Sequence, residues 1–127
     1  MRGYVPMSIS QTSNLLDAQL AHVPRIFITT VKLADEYGLA ELEEIEYAAL
    51  EKARTEAEVS KLHIIVALDF TEEVANAGVE HEPGVLEGEF TLALASVVAF
   101  YLIKGEDEEL EWYDVSESSL CLEKARG

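Results

Sequence analysis

The segment at the end of the apolar run LHIIVALD collects side chains that could hold a metal ion. Five carboxylates and one histidine fall within fourteen positions: Asp69, Glu72, Glu73, Glu80, His81 and Glu82. Carboxylate oxygens suit calcium, magnesium or manganese, and a histidine nitrogen shifts the preference towards transition metals. Their spacing matches no EF-hand loop and no helical His-Glu zinc motif. We therefore favour a solvated acidic loop and keep these residues as metal candidates only.

Other side chains that could react lack the neighbours that catalysis requires. Cys121 is the only cysteine and lies among apolar residues with no basic cluster nearby, so we predict a buried, inert thiol. His63 opens an apolar strand and His22 follows the first predicted helix, and we interpret both as structural. The chain contains no Gly-x-Ser-x-Gly elbow, phosphate loop or dinucleotide fingerprint. The sequence therefore predicts no catalytic residue and no cofactor.

The only tryptophan, Trp112, lies in the acidic stretch ELEWYDVSE. If Leu110–Tyr113 is a strand, Leu110 and Trp112 point to one face, while Glu111 and Tyr113 point to the other. We predict that Trp112 enters the core and that Glu111 stays in water. The alternative is that Trp112, with Tyr113 beside it, forms an exposed platform for a ligand or a protein partner.

Charge limits the classes of partner. Nine basic residues against twenty-five acidic ones give a formal charge of −16, and no Lys or Arg occurs between Leu62 and Ile103. Nucleic acids and anionic membranes are both bound through basic residues, so we predict neither as a partner. The acidity itself has two interpretations. The one that we favour is that it keeps the protein soluble, and the other is that it attracts a basic protein partner or a divalent cation.

Length and composition predict one domain over residues 1–127. A chain of 127 residues that is 49% hydrophobic can bury a core without disulfides. The single cysteine and a first segment that reads as a mature start rather than a signal peptide predict a cytoplasmic protein. The apolar run FTLALASVVAFYLI has fourteen residues, fewer than the roughly 20 of a membrane-spanning helix. We therefore interpret it as one or two buried strands.

Local signals define the first half of the chain. RGYVP reads as a strand, and Ser8 then caps a helix with Gln11 as its capping-box partner. Pro24 breaks the chain before the strand RIFITT, and VKLADEYG forms a short helix closed by Gly38. The longest helix has small and apolar residues at three- and four-residue steps, which predicts close packing on a sheet. These residues are Leu39, Leu42, Ile45, Ala49, Ala53 and Ala57.

The second half is predicted to be rich in strands. LHIIVALD reads as a central strand covered on both faces or flanked by other strands. Residues 70–84 are predicted as a loop with a helical turn at TEEVANAG, followed by the strands VLEGEF and SVVAFYLIK. Gly105 and the acids after it are predicted to form a turn. Asp114 is the predicted cap of a terminal helix, with Glu117 as its capping-box partner.

The order of these elements predicts an α+β fold. Strands and helices alternate first, then strands follow one another, and a short strand and a helix end the chain. We expect a two-layer domain in which helices pack on one face of a mixed β-sheet, with a ferredoxin-like arrangement as the alternative. Such domains often leave a sheet edge open, so we also expect self-association as a dimer.

Five blocks occur in an order that resembles a known family: RGYVP, EYAAL, HIIVALD, LASVVAFYL and ELEWYDVSE. The chain resembles an uncharacterised, mainly actinobacterial family of short proteins of unknown function. The resemblance spans nearly the whole chain, and the block that contains Trp112 is its most specific part. It implies a bacterial cytoplasmic protein and carries over no activity.

Two function hypotheses remain. We favour a small acidic cytoplasmic interaction or regulatory module without catalysis, because catalytic motifs are missing and the charge is so unbalanced. The alternative is a small metal-dependent or acid–base enzyme that uses the acidic cluster between Asp69 and Glu82.

Overall fold

The computed structural model describes residues 1–105 and 108–127, which form seven strands and five α-helices. The strands are β1 (Arg2–Met7), β2 (Leu20–Ile28), β3 (Ile64–Asp69), β4 (Val79–Glu82), β5 (Val85–Ala93), β6 (Val97–Leu102) and β7 (Glu111–Tyr113). The helices are α1 (Ile9–Ala18), α2 (Val31–Tyr37), α3 (Leu42–Val59), α4 (Glu72–Ala77) and α5 (Ser118–Arg126). Two 3-10 turns, Leu94–Ser96 and Val115–Glu117, precede β6 and α5.

The strands form one sheet in the order β4-β5-β2-β1-β3-β6-β7, and each described pair of neighbours is antiparallel. The predicted α+β class is confirmed, but the prediction of a mixed sheet is wrong. The ferredoxin-like alternative is wrong as well. That arrangement places a third strand between two strands joined by a helix, whereas β1 and β2, which α1 joins, are direct neighbours.

Helices cover both faces of the sheet, not one. Leu15 of α1 and Leu122 of α5 are buried on one face, and Leu33 of α2 lies with α3 on the other. The central strands require this arrangement because they are apolar on both sides: Tyr4 and Val5, neighbours in β1, belong to opposite cores. The prediction that β3 is covered on both faces is confirmed, since every residue from 64 to 68 is buried.

The long helix α3 packs on the sheet through small side chains, as predicted. Its fully buried stripe consists of Ala49, Ala53 and Ala57. Alanine allows the helix backbone to approach the sheet closely, and α3 lies chiefly over β1. Arg25 of β2 tethers it further, because its guanidinium reaches Glu56 of α3 at 3.3 Å and Glu87 of β5 at 2.9 Å.

The predicted helix ends at Ser8 and Gly38 are confirmed, whereas Asp114 caps the 3-10 turn before α5 rather than α5 itself. The Ser8 hydroxyl accepts a hydrogen bond from the Gln11 N–H, and the Gln11 side chain accepts one from the Ser8 N–H. Gly38 ends α2 in the left-handed conformation at φ 64°. Asp114 and Glu117 form the same reciprocal box at the 3-10 turn that leads into α5. Each of these signals acts within four residues, which is why the sequence alone reveals it.

Strand β2 begins earlier than predicted. Leu20 and His22, assigned to the first helix and its end, lie in β2. Pro24 does not break the chain but lies inside the strand, at a register shift between Val23 and Arg25 against β5. A bulge tolerates proline because the backbone N–H that proline lacks is not needed for a hydrogen bond between the strands at that position.

Residues 70–84 contain more structure than the predicted loop. The helical turn at TEEVANAG is confirmed as α4, which Thr71 caps. Strand β4 was not predicted, because most of its side chains are exposed and so show no alternation of apolar and polar residues. The predicted turn after Gly105 falls on Glu106 and Asp107, which lie outside the described residues.

Strand β7 alternates as predicted, but its buried side is the opposite one. Tyr113 is 4% exposed and Trp112 is 55% exposed, so the prediction that Trp112 enters the core is wrong. The face of Tyr113 is covered by α5, and Tyr113 belongs to the same core as Phe100, its partner in β6. Trp112 lies on the face of the sheet that α3 covers. However, α3 packs chiefly over β1, and two strands separate β7 from β1, so α3 does not cover Trp112.

Glu111 is half-buried rather than free in water. Its carboxylate lies 3.3 Å from Lys104 Nζ and 3.4 Å from Lys124 Nζ. Desolvation raises the pKa of Glu111, but the two lysines outweigh it, so that the net pKa is lowered. Ion pairs therefore join this short edge strand to the segment after β6 and to α5, in addition to the packing of Tyr113.

Substitutions in β7 should separate the two faces. Tyr113→Ala should reduce the free energy of unfolding by about 3–5 kcal/mol, as the loss of large buried aromatics does. Trp112→Ala should cost less than about 1 kcal/mol because the side chain is largely exposed. Asp114→Ala should cost about 0.5–2 kcal/mol through loss of the cap. Urea unfolding measures all three values, and a larger loss for Trp112 than for Tyr113 would contradict the assignment.

Candidate functional site

The predicted metal ligands are engaged separately by neighbouring residues. Asp69 forms an ion pair with Arg2, with Nε 2.9 Å from Oδ1. Glu80 Oε2 accepts hydrogen bonds from the Thr30 hydroxyl at 2.5 Å and from the Gly84 N–H at 2.8 Å. Glu80 thus joins the start of α2 to the β4–β5 turn, a structural task that its position in the sequence did not reveal.

The remaining candidates are likewise dispersed. Glu82 lies 3.5 Å from Lys52 of α3, and His81 is exposed on β4. Glu72 and Glu73 lie in the first turn of α4, where negative charge favours a helix. Within residues 1–105 and 108–127, no group of three or more His, Cys, Asp or Glu side chains could hold a metal ion.

Two neighbouring tyrosines, Tyr4 and Tyr101, both have raised pKa values. Burial raises the pKa of Tyr4, and Tyr101 and Glu46 raise it further, while Arg2 opposes them. Burial likewise raises the pKa of Tyr101, whose ring centroid lies 6.4 Å from that of Tyr4. Both phenols therefore stay protonated at neutral pH, and neither can serve there as a general base.

The histidines and the cysteine have ordinary surroundings. His22 Nδ1 lies 3.1 Å from Thr91 Oγ1 across the β2–β5 pair, and His63 is exposed. Cys121 is buried, as predicted. Burial, with a smaller contribution from the Glu111 charge, raises the pKa of its thiol to about 11.

An open groove of about 690 Å³ lies along α2 and α3 on the outer side of this helical layer. It is lined by Tyr37, Leu39, Glu43, Glu44, Tyr47, Ala48, Glu51, Lys52 and Thr55. The two tyrosines are 54% and 64% exposed. Exposed aromatic side chains that share one groove are typical of surfaces that bind another molecule. We name this surface the α2–α3 groove.

The apolar surface continues beyond the groove. Leu39 also lines a second depression of about 570 Å³, which contains the exposed side chains of Val31 and Leu42. Four large apolar residues of α2 and α3 are thus exposed at these two depressions: Val31, Tyr37, Leu42 and Tyr47. Such a group differs from the single exposed apolar residues of an ordinary surface.

The rim of the α2–α3 groove carries uncompensated negative charge. Glu43, Glu44 and Glu51 form no ion pair in the described part of the chain. Lys52 is the one cation in the lining and is already engaged: its Nζ lies 3.3 Å from Glu36 and donates to a backbone carbonyl at 2.8 Å. The groove therefore combines an apolar centre with an acidic rim.

A profile described as a family of unknown function, DUF6912, matches residues 1–104. The chain belongs to this family. The DUF6912 match contains β1 to β6 and the α2–α3 groove, and it ends before the block with Trp112. No curated protein and no solved structure matches the chain. The described residues include no helix with the length and apolar character needed to cross a bilayer.

Sequence reasoning about this DUF6912 chain missed the groove, although one signal was present. Tyr47 falls on the side of α3 opposite the alanine stripe, among charged residues. An aromatic residue on the polar side of an amphipathic helix gains nothing from the core. Leu42 was assigned to the buried stripe, but it is exposed at the start of α3.

The reactivity of Cys121 provides a test of its burial. A pKa of about 11 leaves about a hundredfold less thiolate at pH 8 than an ordinary cysteine would have. We expect Ellman's reagent to modify the native protein at least that much more slowly than the protein unfolded in guanidinium. Equal rates in the two states would show that the thiol is accessible.

Proposed function

We propose that the protein is a small interaction module without catalysis of its own, and that a basic protein segment docks in its α2–α3 groove. The observation that carries this proposal is the pairing of exposed Tyr37 and Tyr47 with unpaired carboxylates in one groove. Apolar contact would supply affinity, and the acidic rim would select partners of positive charge.

Electrostatics favours a basic partner over other ligands. With a formal charge of −16, the chain attracts cations at long range, and the unpaired rim directs that attraction to the groove. The same charge opposes nucleic acids and anionic membranes, and their exclusion stays a prediction. We also propose a bacterial cytoplasmic location, in keeping with the single cysteine.

The enzyme hypothesis has less support. It requires the carboxylates between Asp69 and Glu82 to converge on one reacting group. Asp69 is paired with Arg2, and Glu80 holds the β4–β5 turn. These two carboxylates are therefore each engaged by a different partner and are not directed at a common reacting group.

A footprinting experiment tests the proposal. The probe is an unstructured peptide of Lys and Leu, and the matched control is a peptide of Lys and Gly with the same charge. We expect amide chemical-shift changes to concentrate around Tyr37 and Tyr47, and the Lys-Leu peptide to bind at least about tenfold more tightly.

Two variants complete the footprint. Tyr47→Ser should abolish the preference for the Lys-Leu peptide without loss of stability, because the side chain is exposed. Trp112→Ser, which removes another largely exposed aromatic side chain outside the groove, should leave the preference for the Lys-Leu peptide unchanged. Shifts spread evenly over the acidic surface, or equal effects of the two variants, would refute the groove as the docking site.

We further propose self-association as a dimer through the β7 edge. β4, the other edge strand, has a register shift between Glu80 and Glu82, which opposes regular pairing. β7 pairs with β6 in regular register, and its Trp112 is exposed. Sedimentation should detect a dimer at moderate salt that Trp112→Glu removes and Val79→Glu on β4 does not. A monomer at high concentration in both low and moderate salt would end this proposal.

A further inference from the structure

We infer that the segment that fills the α2–α3 groove is an amphipathic helix of about three turns, with two basic residues seven positions apart on either side of an apolar residue. This inference rests on the proposed function and adds the shape and spacing of the partner. It follows from the positions of the lining residues on α3 and from the way the walls are fixed.

Seven residues of α3 line the groove, and four of them follow one line along the helix, with Glu43, Tyr47 and Lys52 to either side of it. Glu44, Ala48, Glu51 and Thr55 all line the groove and are separated by three or four residues. Residues at that spacing lie above one another on one side of a helix. Eleven steps of about 1.5 Å make this line about 16 Å long, which is the length of about three turns of a partner helix.

The charges along this line set the spacing of the partner's basic residues. Glu44 and Glu51 lie seven residues apart, or about 10 Å along the axis. A helix presents residues i and i+7 on one side at the same distance. A strand matches it less closely, since its same-side residues recur at about 6.6 and 13 Å.

The small side chain of Ala48 lies between these two carboxylates and provides space for the apolar residue. Tyr47 and Leu39 stand beside it in the lining. A partner side chain inserted over Ala48 would be enclosed by these larger neighbours, while its flanking lysines or arginines reach Glu44 and Glu51. A central apolar anchor with charged contacts around it is the usual layout of a helix docked in a groove.

The walls are fixed before any partner arrives. Lys52 of α3 forms an ion pair with Glu36 of α2 and donates a hydrogen bond to the Pro83 carbonyl in the β4–β5 turn. Its Nζ also lies 6.0 Å from the centre of the Tyr37 ring. Its side chain is only 13% exposed. A groove held in this way requires little rearrangement, so less of the binding energy is lost on ordering it.

Two other occupants fit less well. A partner strand would need an open sheet edge, whereas both walls are helices whose backbone groups are satisfied internally. A second copy of this chain carries the same −16 charge and would bring carboxylates against the acidic rim. The partner is therefore a different, basic chain.

Three peptides of the same length and charge test the inference. The first places Lys at positions i and i+7 around a central Leu in an Ala-Gln helix, and the second moves one Lys to i+5. A third has Pro beside the Leu, which prevents the helix. We expect fluorescence anisotropy to show at least about tenfold tighter binding of the first peptide than of the others, and circular dichroism to show that it gains helicity on binding.

Charge variants test whether the two lysines of the peptide contact Glu44 and Glu51. Glu44→Gln and Glu51→Gln should each weaken the first peptide severalfold, whereas Glu89→Gln, an exposed carboxylate of β5, is the matched control and should not. Equal binding of all three peptides, still abolished by Tyr47→Ser, would overturn the helical inference and leave the docking proposal standing. Binding of every peptide that is insensitive to Tyr47→Ser, or no binding at all, would overturn both.

Discussion

The structure depends on one constraint: its central strands are apolar on both sides. In β1 and β3 consecutive residues such as Tyr4 and Val5 are buried in opposite cores. An antiparallel sheet with one wet face would expose half of them to water, at roughly 25 cal/mol for each Å² of apolar surface. Helices must therefore lie on both faces, with α1 and α5 on one and α2 and α3 on the other.

That division explains why the candidate binding surface lies on α3. The helix gives its smallest residues to the sheet, since Ala49 and Ala53 allow it to lie close to β1. Of its larger apolar side chains, Ile45 and Leu50 pack at the margin of the core, whereas Leu42 and Tyr47 are largely exposed. A helix selected only for core packing would place its bulk inward. The exposed Leu42 and Tyr47 depart from that pattern, and they support the docking surface proposed above.

Local features of the fold could be predicted from the sequence, and features set by distant contacts could not. The boxes at Ser8 and Asp114 act within a few residues and were predicted correctly. Alternation correctly separated Trp112 from Tyr113, but it cannot tell which of the two sides α5 will cover. The roles of Asp69 and Glu80 depend on Arg2 and Thr30, partners 67 and 50 positions distant, and no local pattern reports such pairs.

The distribution of the basic residues determines which negative charges remain available to a partner. Six of nine form ion pairs in the described part of the chain: Arg2, Arg25, Lys52, Arg54, Lys104 and Lys124. Several of these pairs join separate elements, as Arg25 joins β2 to α3 and Lys52 joins α3 to α2. The positive charges are thus largely used inside the fold, while carboxylates such as Glu44 and Glu51 are left facing water. A partner that neutralises them has to bring its own positive charge.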